Sequence, residues 1–120
     1  MTVQASCHCG AVKFKLNIQP EWLIKCNCSI CSKLGTLWAH TLEKDAEITM
    51  PESATLAYKR KDASLAFHTC KTCGCTTHWW SVKRGEDERM ALNMALLDPK
   101  ILAQYRIRHF DGADSWKFTD

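Results

Sequence analysis

The sequence predicts a small, mainly β domain that is stabilised by bound zinc and carries one or two short helices. The chain has 120 residues, and 46% of them are hydrophobic, which is enough for one compact core. Several short segments alternate apolar and polar residues, as half-buried strands do. Eight cysteines fall into three tight groups whose spacing is typical of zinc ligands. We therefore expect residues 1–120 to form a single domain.

The predicted strands are short and are separated by turns. In residues 11–16, Val12, Phe14 and Leu16 share one face, which is the period of a strand. Alternation or strand-forming composition also predicts strands over residues 36–42, 54–59, 65–69 and 76–82.

The second half of the chain adds a hairpin and a further strand. Segments 65–69 and 76–82 flank the cysteine turn at 70–74 in the manner of two hairpin arms. The pattern of residues 89–97 is ambiguous between helix and strand. We favour a strand, because four apolar side chains share one face at period two: Met90, Leu92, Met94 and Leu96.

Two short helices are predicted from their end signals. Residues 98–105 begin with Asp98, a good N-cap, and Pro99, which suits the first helical position. A second short helix is predicted over residues 29–33, and Gly35 ends it.

The cysteine spacings predict two zinc sites. A CxCG turn and a CxxCG turn can each aim two thiolates at one ion, and the glycine relieves the tight backbone beside them. Pairing these two turns gives a closed structural site with four thiolates, formed by Cys7, Cys9, Cys70 and Cys73. The remaining CxCxxC group supplies three thiolates and leaves one position open, as in catalytic zinc sites. Its members are Cys26, Cys28 and Cys31.

The cysteines allow three other interpretations. A disulfide scaffold is disfavoured because no secretory signal is present. The alternative for the second site is a closed structural site with Cys75 or a histidine as its fourth ligand. A thiol-redox role for Cys70 and Cys73 is disfavoured, since no βαβ pattern surrounds them.

Five segments carry a resemblance to a known family: CHCGAV (7–12), CNCSIC (26–31), FHTCKTCG (67–74), LDP (97–99) and RHFDGADSW (108–116). Together they resemble the glutathione-dependent formaldehyde-activating (Gfa) family. The resemblance implies a β-tent fold with two zinc ions per chain. It implies a structural zinc on the four cysteines and a catalytic zinc on the three, and it leaves Cys75 outside the metal pattern.

The activity implied by this resemblance joins formaldehyde to glutathione and is of the carbon–sulfur lyase type. We expect glutathione or a glutathione adduct as the small-molecule partner, with the thiol at the open position of the three-cysteine zinc site. The alternative is a non-catalytic zinc-binding module for a small thiol or a protein partner, because a fold does not determine a reaction.

Other side chains are candidates for supporting roles. Lys33 and Arg108 are candidates for binding the carboxylates of glutathione. We interpret Trp38 and Trp116 as core residues rather than ligand contacts. Three histidines are candidates for proton transfer or for a fourth zinc ligand: His40, His68 and His78.

Charge and hydropathy exclude several classes of function. The net charge of +3 is dispersed, whereas a nucleic-acid partner would need a clustered basic face. No apolar run approaches the ~18 residues of a membrane span. The first residues lack the basic and apolar regions of a targeting signal, so we expect a cytoplasmic protein with reduced thiols. The sequence indicates no particular oligomeric state.

Overall fold

The computed structural model describes residues 2–60 and 63–120. Two short helices are present in these residues, α1 (Cys31–Leu34) and α2 (Pro99–Leu102), with 3-10 turns at Glu43–Asp45 and Met94–Leu96. The strands in the same residues are β1 (Val3–Ser6), β2 (Lys13–Leu16), β3 (Leu23–Cys26), β4 (Trp38–Leu42), β5 (Ala46–Thr49), β6 (Thr55–Lys59), β7 (Leu65–Cys70), β8 (Thr76–Ser81), β9 (Arg89–Asn93) and β10 (Ile107–Phe110). The predicted fold class, mainly β with short helices, is confirmed.

The strands form two sheets. The smaller has the order β1-β2-β5 and is antiparallel. The larger has the order β10-β3-β4-β9-β8-β7-β6, in which β10 runs parallel to β3 and the other pairs are antiparallel. No helix in the described residues has the length and apolar character needed to cross a membrane.

The alternation predicted for β2 sets one side of the core. Val12, Phe14 and Leu16 are at most 2% exposed, while Lys13 between them is exposed. Each large apolar side chain buried in this way stabilises the fold by roughly 1.5–3 kcal/mol. Phe14 and Leu16 pack with residues of β9, so the core lies between the two sheets.

The strand predicted over residues 89–97 ends earlier than the pattern indicated. Its regular part stops at Asn93, whose side-chain oxygen accepts hydrogen bonds from the backbone N–H groups of Leu37 and Ala95, each at 3.1 Å. Asparagine competes with the strand ladder in this way, and a 3-10 turn follows. Met90 and Met94 remain buried on both sides of the boundary.

Both predicted helices are present, and each is shorter than expected. Asp98 caps α2, since its Oδ1 accepts from the Lys100 N–H at 2.9 Å, and Pro99 occupies the first turn. Helix α1 begins after Ile30 without a side-chain cap. It ends at Gly35, whose φ of +67° is a conformation that glycine adopts without strain.

Four strands lacked a clear pattern in the sequence, namely β1, β3, β5 and β10. The last of these matters for function, because β10 pairs in parallel with β3 although about eighty residues separate them. This pairing brings the C-terminal segment beside the CxCxxC group, which begins at the end of β3.

A buried aromatic cluster lies under the larger sheet, on the face away from the cysteine triplet. The rings of His68 and His78 stack at 4.5 Å, and Trp80 packs edge-on against both. His78 is fully buried, its Nδ1 bonds to the Thr77 hydroxyl at 2.7 Å, and its Nε2 has no hydrogen-bond partner in the described residues. Burial, together with the nearby His68 and Arg84, lowers the pKa of His78 from 6.5 to about 3.

This buried histidine predicts a loss of stability in mild acid. Between pH 6.5 and pH 3 the unfolded chain binds a proton at His78 that the folded chain does not, so falling pH favours unfolding. We expect the free energy of unfolding of wild type to fall more steeply than that of His78→Asn from pH 7 to pH 5, by up to about 1.4 kcal/mol per pH unit. Asparagine keeps a polar atom for Thr77 but does not titrate.

Urea denaturation of both proteins at a series of pH values, with excess zinc, measures this difference. The eight cysteines and the other four histidines are present in both proteins, so the difference between the two slopes is attributed to His78. Equal slopes would contradict the assignment of a buried neutral imidazole at this position.

Candidate metal centres

Two turns bring four cysteines together at one end of the molecule. Cys7 and Cys9 follow β1, and Cys70 and Cys73 lie at the turn between β7 and β8. Their Sγ atoms lie within 4.8 Å of one another. The Sγ atom of Cys9 is 3.6 Å from those of Cys7 and Cys70. Sulfur ligands 2.3 Å from a tetrahedral zinc would be about 3.8 Å apart, so this four-cysteine site fits such an ion.

Backbone groups around the four-cysteine site favour thiolates. The Val12 N–H donates to the Cys7 sulfur at 3.3 Å. The backbone N–H groups of Cys9 and Cys75 lower the pKa of Cys73 to about 5. Gly10 and Gly74, which follow the two turns, have φ of +83° and +80°, as the CxCG and CxxCG patterns require. The Ala11 N–H lowers the pKa of Cys9, but desolvation and the neighbouring sulfurs raise it to about 12, so a cation is needed before all four sulfurs are thiolates.

Cys75 stays outside this group. Its side chain is half-buried in the same small cluster, but it is not among the four mutually close sulfurs. Its carbonyl oxygen instead accepts the Cys70 N–H at 2.9 Å, which closes the cysteine turn.

The CxCxxC group forms a second cluster, the three-cysteine site. Cys26 ends β3, Cys28 lies in the following turn and Cys31 begins α1. Their Sγ atoms also lie within 4.8 Å of one another. The N–H of Cys28 donates to Cys26 at 3.5 Å, that of Cys31 to Cys28 at 3.4 Å, and the Trp38 indole to Cys31 at 3.3 Å.

The three-cysteine site also needs a cation if all its thiols ionise. Burial raises the pKa of the Cys31 thiol to about 12. Three neighbouring thiolates would repel one another, and a buried charge is stable only when it is paired. The hydrogen-bond donors on the sulfurs and the close spacing both fit a soft divalent metal ion.

The C-terminal loop closes against the three-cysteine site. Asn27 joins it to the loop, because its Nδ2 donates to Asp111 at 3.0 Å and its Oδ1 accepts the Ala113 N–H at 3.0 Å. Between these contacts, Gly112 lies against the cysteines. A Cβ atom at Gly112 would be 2.6 Å from the Cys26 sulfur, a distance that real Cβ atoms do not adopt.

Gly112→Ala should therefore displace Cys26 and weaken metal binding at the three-cysteine site. Overpacking of this kind costs about 1–3 kcal/mol, so we expect roughly a tenfold or larger loss of affinity there. The matched control is Gly85→Ala, where the new Cβ would make an ordinary 3.6 Å contact with Glu88. Competition with a zinc chelator measures the zinc affinity. Equal competition curves for the two variants would show that a Cβ atom close to the Cys26 sulfur does not weaken metal binding.

A cleft of about 750 Å³ opens beside the three cysteines. All three line it, and Phe110 and Trp116 of the C-terminal segment form one wall. Aromatic side chains and one imidazole lie along it, contributed by Trp38, His40, Phe67 and Trp79. A further set of charged side chains lines it as well: Arg60, Asp87, Glu88 and Arg89. The three-cysteine site is thus open to a molecule of drug-like size.

A second cavity of about 350 Å³ lies on the other side of the same cysteines. Cys26 and Cys31 line both cavities. The wall of the second cavity includes Thr36, whose buried hydroxyl has no hydrogen-bond partner in the described residues. Small molecules can therefore approach Cys26 and Cys31 from both cavities, whereas Cys28 lines only the larger one.

The two tryptophans interpreted as core residues have different positions. Trp38 is 1% exposed, and its core position is confirmed. For Trp116 the core interpretation is wrong, because its side chain is 73% exposed. The loop turns it outward with a φ of +59°, while its N–H donates to the Asp111 carbonyl at 2.8 Å. It packs edge-on against Phe110 at the rim of the cleft.

The three candidate histidines separate into two locations. His40 faces the cleft and packs edge-on against Trp79 at 5.7 Å. Desolvation by the surrounding protein and the charge of Arg89 lower the pKa of His40, although the residue is exposed to solvent, so its imidazole is neutral at pH 7. His68 and His78 lie in the buried cluster on the opposite face of the sheet, and neither lines the cleft.

The cations of the cleft differ from those suggested by the sequence. Neither Lys33 nor Arg108 lines either cavity. Arg108 donates to the Asp120 carbonyl at 2.7 Å, and its guanidinium lies 3.8 Å from the Phe118 ring centroid. Sequence reasoning missed Arg60 and Arg89. Alternation in β9 could have indicated Arg89, because its side chain points to the face of the sheet opposite that of Met90.

Comparisons with known proteins agree with this geometry. The family model described as glutathione-dependent formaldehyde-activating enzyme matches residues 2–110, which include all eight cysteines. A search of curated proteins found no match. Among solved structures, the chain is similar to a crystal structure of a Rhodobacter sphaeroides protein, a structural genomics target, with a TM-score of 0.68 and 25% sequence identity over 88% of this chain and 99% of that one. The resemblance seen in the sequence is confirmed: the chain belongs to the family of glutathione-dependent formaldehyde-activating enzymes.

Proposed function

We propose that this protein is a zinc-dependent enzyme of the carbon–sulfur lyase type. It would form and cleave the adduct of glutathione, or a similar small thiol, with formaldehyde or another aldehyde. The observation that carries the proposal is the contrast between the two cysteine clusters. The four-cysteine site brings together four sulfurs that could ligate one ion, whereas the three cysteines line a cleft of about 750 Å³. A fourth ligand can therefore come from a substrate.

The two sites would each hold one zinc ion. In the four-cysteine site the protein supplies every ligand, so its role is to join β1 to the β7–β8 hairpin. In the three-cysteine site, zinc would supply a position that favours the thiolate form of an incoming thiol. The side chains around that position perform the rest of the chemistry.

We infer that His40 moves the proton of the reaction. When the thiol adds to the aldehyde, a sulfur–carbon bond forms, the carbonyl π bond breaks, and one proton moves from sulfur to oxygen. A neutral imidazole can accept that proton and return it to the new alkoxide. His40 is neutral at pH 7 and lines the same cleft as the three cysteines.

The remaining residues of the cleft hold and shield the reactants. The Trp38 indole fixes the Cys31 sulfur through a hydrogen bond of 3.3 Å. Trp79 and Phe67 present apolar rings beside it, which exclude water from the reacting carbon. The aldehyde is small enough to enter through either cavity.

Exchange between free and glutathione-bound formaldehyde, followed by NMR line broadening, tests this function. We expect the zinc-loaded protein to accelerate the exchange and a chelated sample to lose the effect. If the loaded protein binds glutathione but does not change the exchange rate, the chain acts as a thiol-binding zinc module instead.

We also propose that residues 1–120 form a single domain in a reducing compartment such as the cytoplasm. All eight cysteines lack a disulfide partner. Thiolate metal sites of this kind persist where thiols stay reduced.

A further inference from the structure

The cleft carries charged side chains that the proposed reaction does not use. Arg60 and Arg89 line it together with Asp87 and Glu88. We propose that these two arginines bind a carboxylate of the thiol substrate and thereby select anionic thiols. The inference rests on the proposed function, because it places the sulfur of the same molecule at the three-cysteine site.

Strand register shows that Arg89 shares a face with the aromatic lining of the cleft. In β9, Arg89 and Ala91 are two residues apart, so their side chains lie on the same face of the sheet. Ala91 lies directly opposite His40 on β4 and opposite Trp79 on β8. The Arg89 side chain is thus one row beyond the imidazole and the indole that line the cleft.

The same register gives the separation between the two ends of the cleft. Arg89 pairs with Leu42, which is four residues along β4 from Trp38. A strand rises about 3.3 Å per residue, so these two rows are about 13 Å apart. Trp38 contacts Cys31, and Arg89 lines the same cleft. A molecule the size of a tripeptide spans about 10 Å, which is comparable with this separation.

Arg60 approaches this end from the other side of the cleft. It follows β6, whereas Arg89 begins β9, and β7 and β8 lie between them. At this level of the sheet β7 and β8 contribute Leu65 and Ser81, which are paired with each other and also line the cleft. These side chains are short or apolar, so among the described residues that line this end of the cleft the two guanidinium groups are the cations.

The balance of charge favours an anion. Among the described lining residues, Asp87 is paired with Lys44 at 3.4 Å, so one carboxylate, Glu88, remains beside the two guanidinium groups. Guanidinium groups bind carboxylates through two parallel charge-assisted hydrogen bonds, which are stronger than hydrogen bonds between neutral groups. A thiol with a carboxylate about 10 Å from its sulfur would therefore bind better than a neutral thiol.

Calorimetric titration of the zinc-loaded protein with glutathione and with 2-mercaptoethanol tests the inference without relying on activity. We expect Arg89→Gln and Arg60→Gln to raise the dissociation constant for glutathione at least about tenfold and to change that for 2-mercaptoethanol less than about twofold. The matched control is Arg106→Gln, because Arg106 is exposed and lines neither cavity. It should leave both constants unchanged.

Two results would overturn the inference in distinguishable ways. If wild type binds both thiols and the three variants bind glutathione equally, the arginines do not select the substrate, while the proposed function stands. If wild type binds neither thiol, the three-cysteine site does not accept a thiol, and the proposed function fails together with the inference.

Discussion

Cys73→Ser will lose the metal of the four-cysteine site and unfold under conditions in which Cys75→Ser stays folded. Structural zinc contributes apparent binding energies of about 10–16 kcal/mol in zinc-finger peptides. The whole stability of a small domain is only about 5–15 kcal/mol. Cys73 has the thiol with the most strongly lowered pKa in the cluster, at about 5, and its loss removes one of four ligands.

The two variants form a matched pair because the cysteines lie two residues apart in the same turn. Circular dichroism during heating measures the fold, and elemental analysis measures the metal. Equal melting curves for Cys73→Ser and Cys75→Ser would contradict the division of these cysteines into a ligand and a bystander.

Cys28→Ser will remove the metal of the three-cysteine site and abolish exchange activity while the domain stays folded. Cys28 lies in a turn on the surface of the larger sheet, and its removal leaves the four-cysteine site and the core between the sheets intact. Loss of a residue that merely supports a metal ligand already costs 10–100-fold in affinity or activity, so we expect loss of a ligand to cost at least about 100-fold.

Formaldehyde–glutathione exchange is again the readout, with Cys75→Ser as the control that keeps wild-type activity. A Cys28→Ser protein that is folded and fully active would show that the three-cysteine site is not the reaction centre.

Local patterns in the sequence predicted those parts of the fold that local interactions determine. The alternation of Val12, Phe14 and Leu16 matches a buried strand face, and the CxxCG turn lies between two paired strands, β7 and β8. The capping by Asp98 follows the same logic, because the cap and the N–H that it accepts are two residues apart. The cysteine groups were informative because short turns leave thiolates few directions in which to point.

Features that depend on distant segments were missed. The parallel pairing of β10 with β3 cannot be recognised from either strand alone, and it is this pairing that places Gly112 against Cys26. The exposed position of Trp116 follows from the conformation of the same loop. From the sequence, only its aromatic side chain could be considered, and that favoured a core position. Arg89 reaches the cleft only because β9 lies between β4 and β8, an order that the sequence does not reveal.

Zinc content per chain, measured on protein purified without added metal, addresses both cysteine sites at once. We expect about two zinc ions per chain in wild type and about one in Cys28→Ser, because each site with three or four thiolates holds one ion. A value near one in both proteins, with the fold unchanged, would contradict the existence of a second metal site and with it the proposed place of reaction.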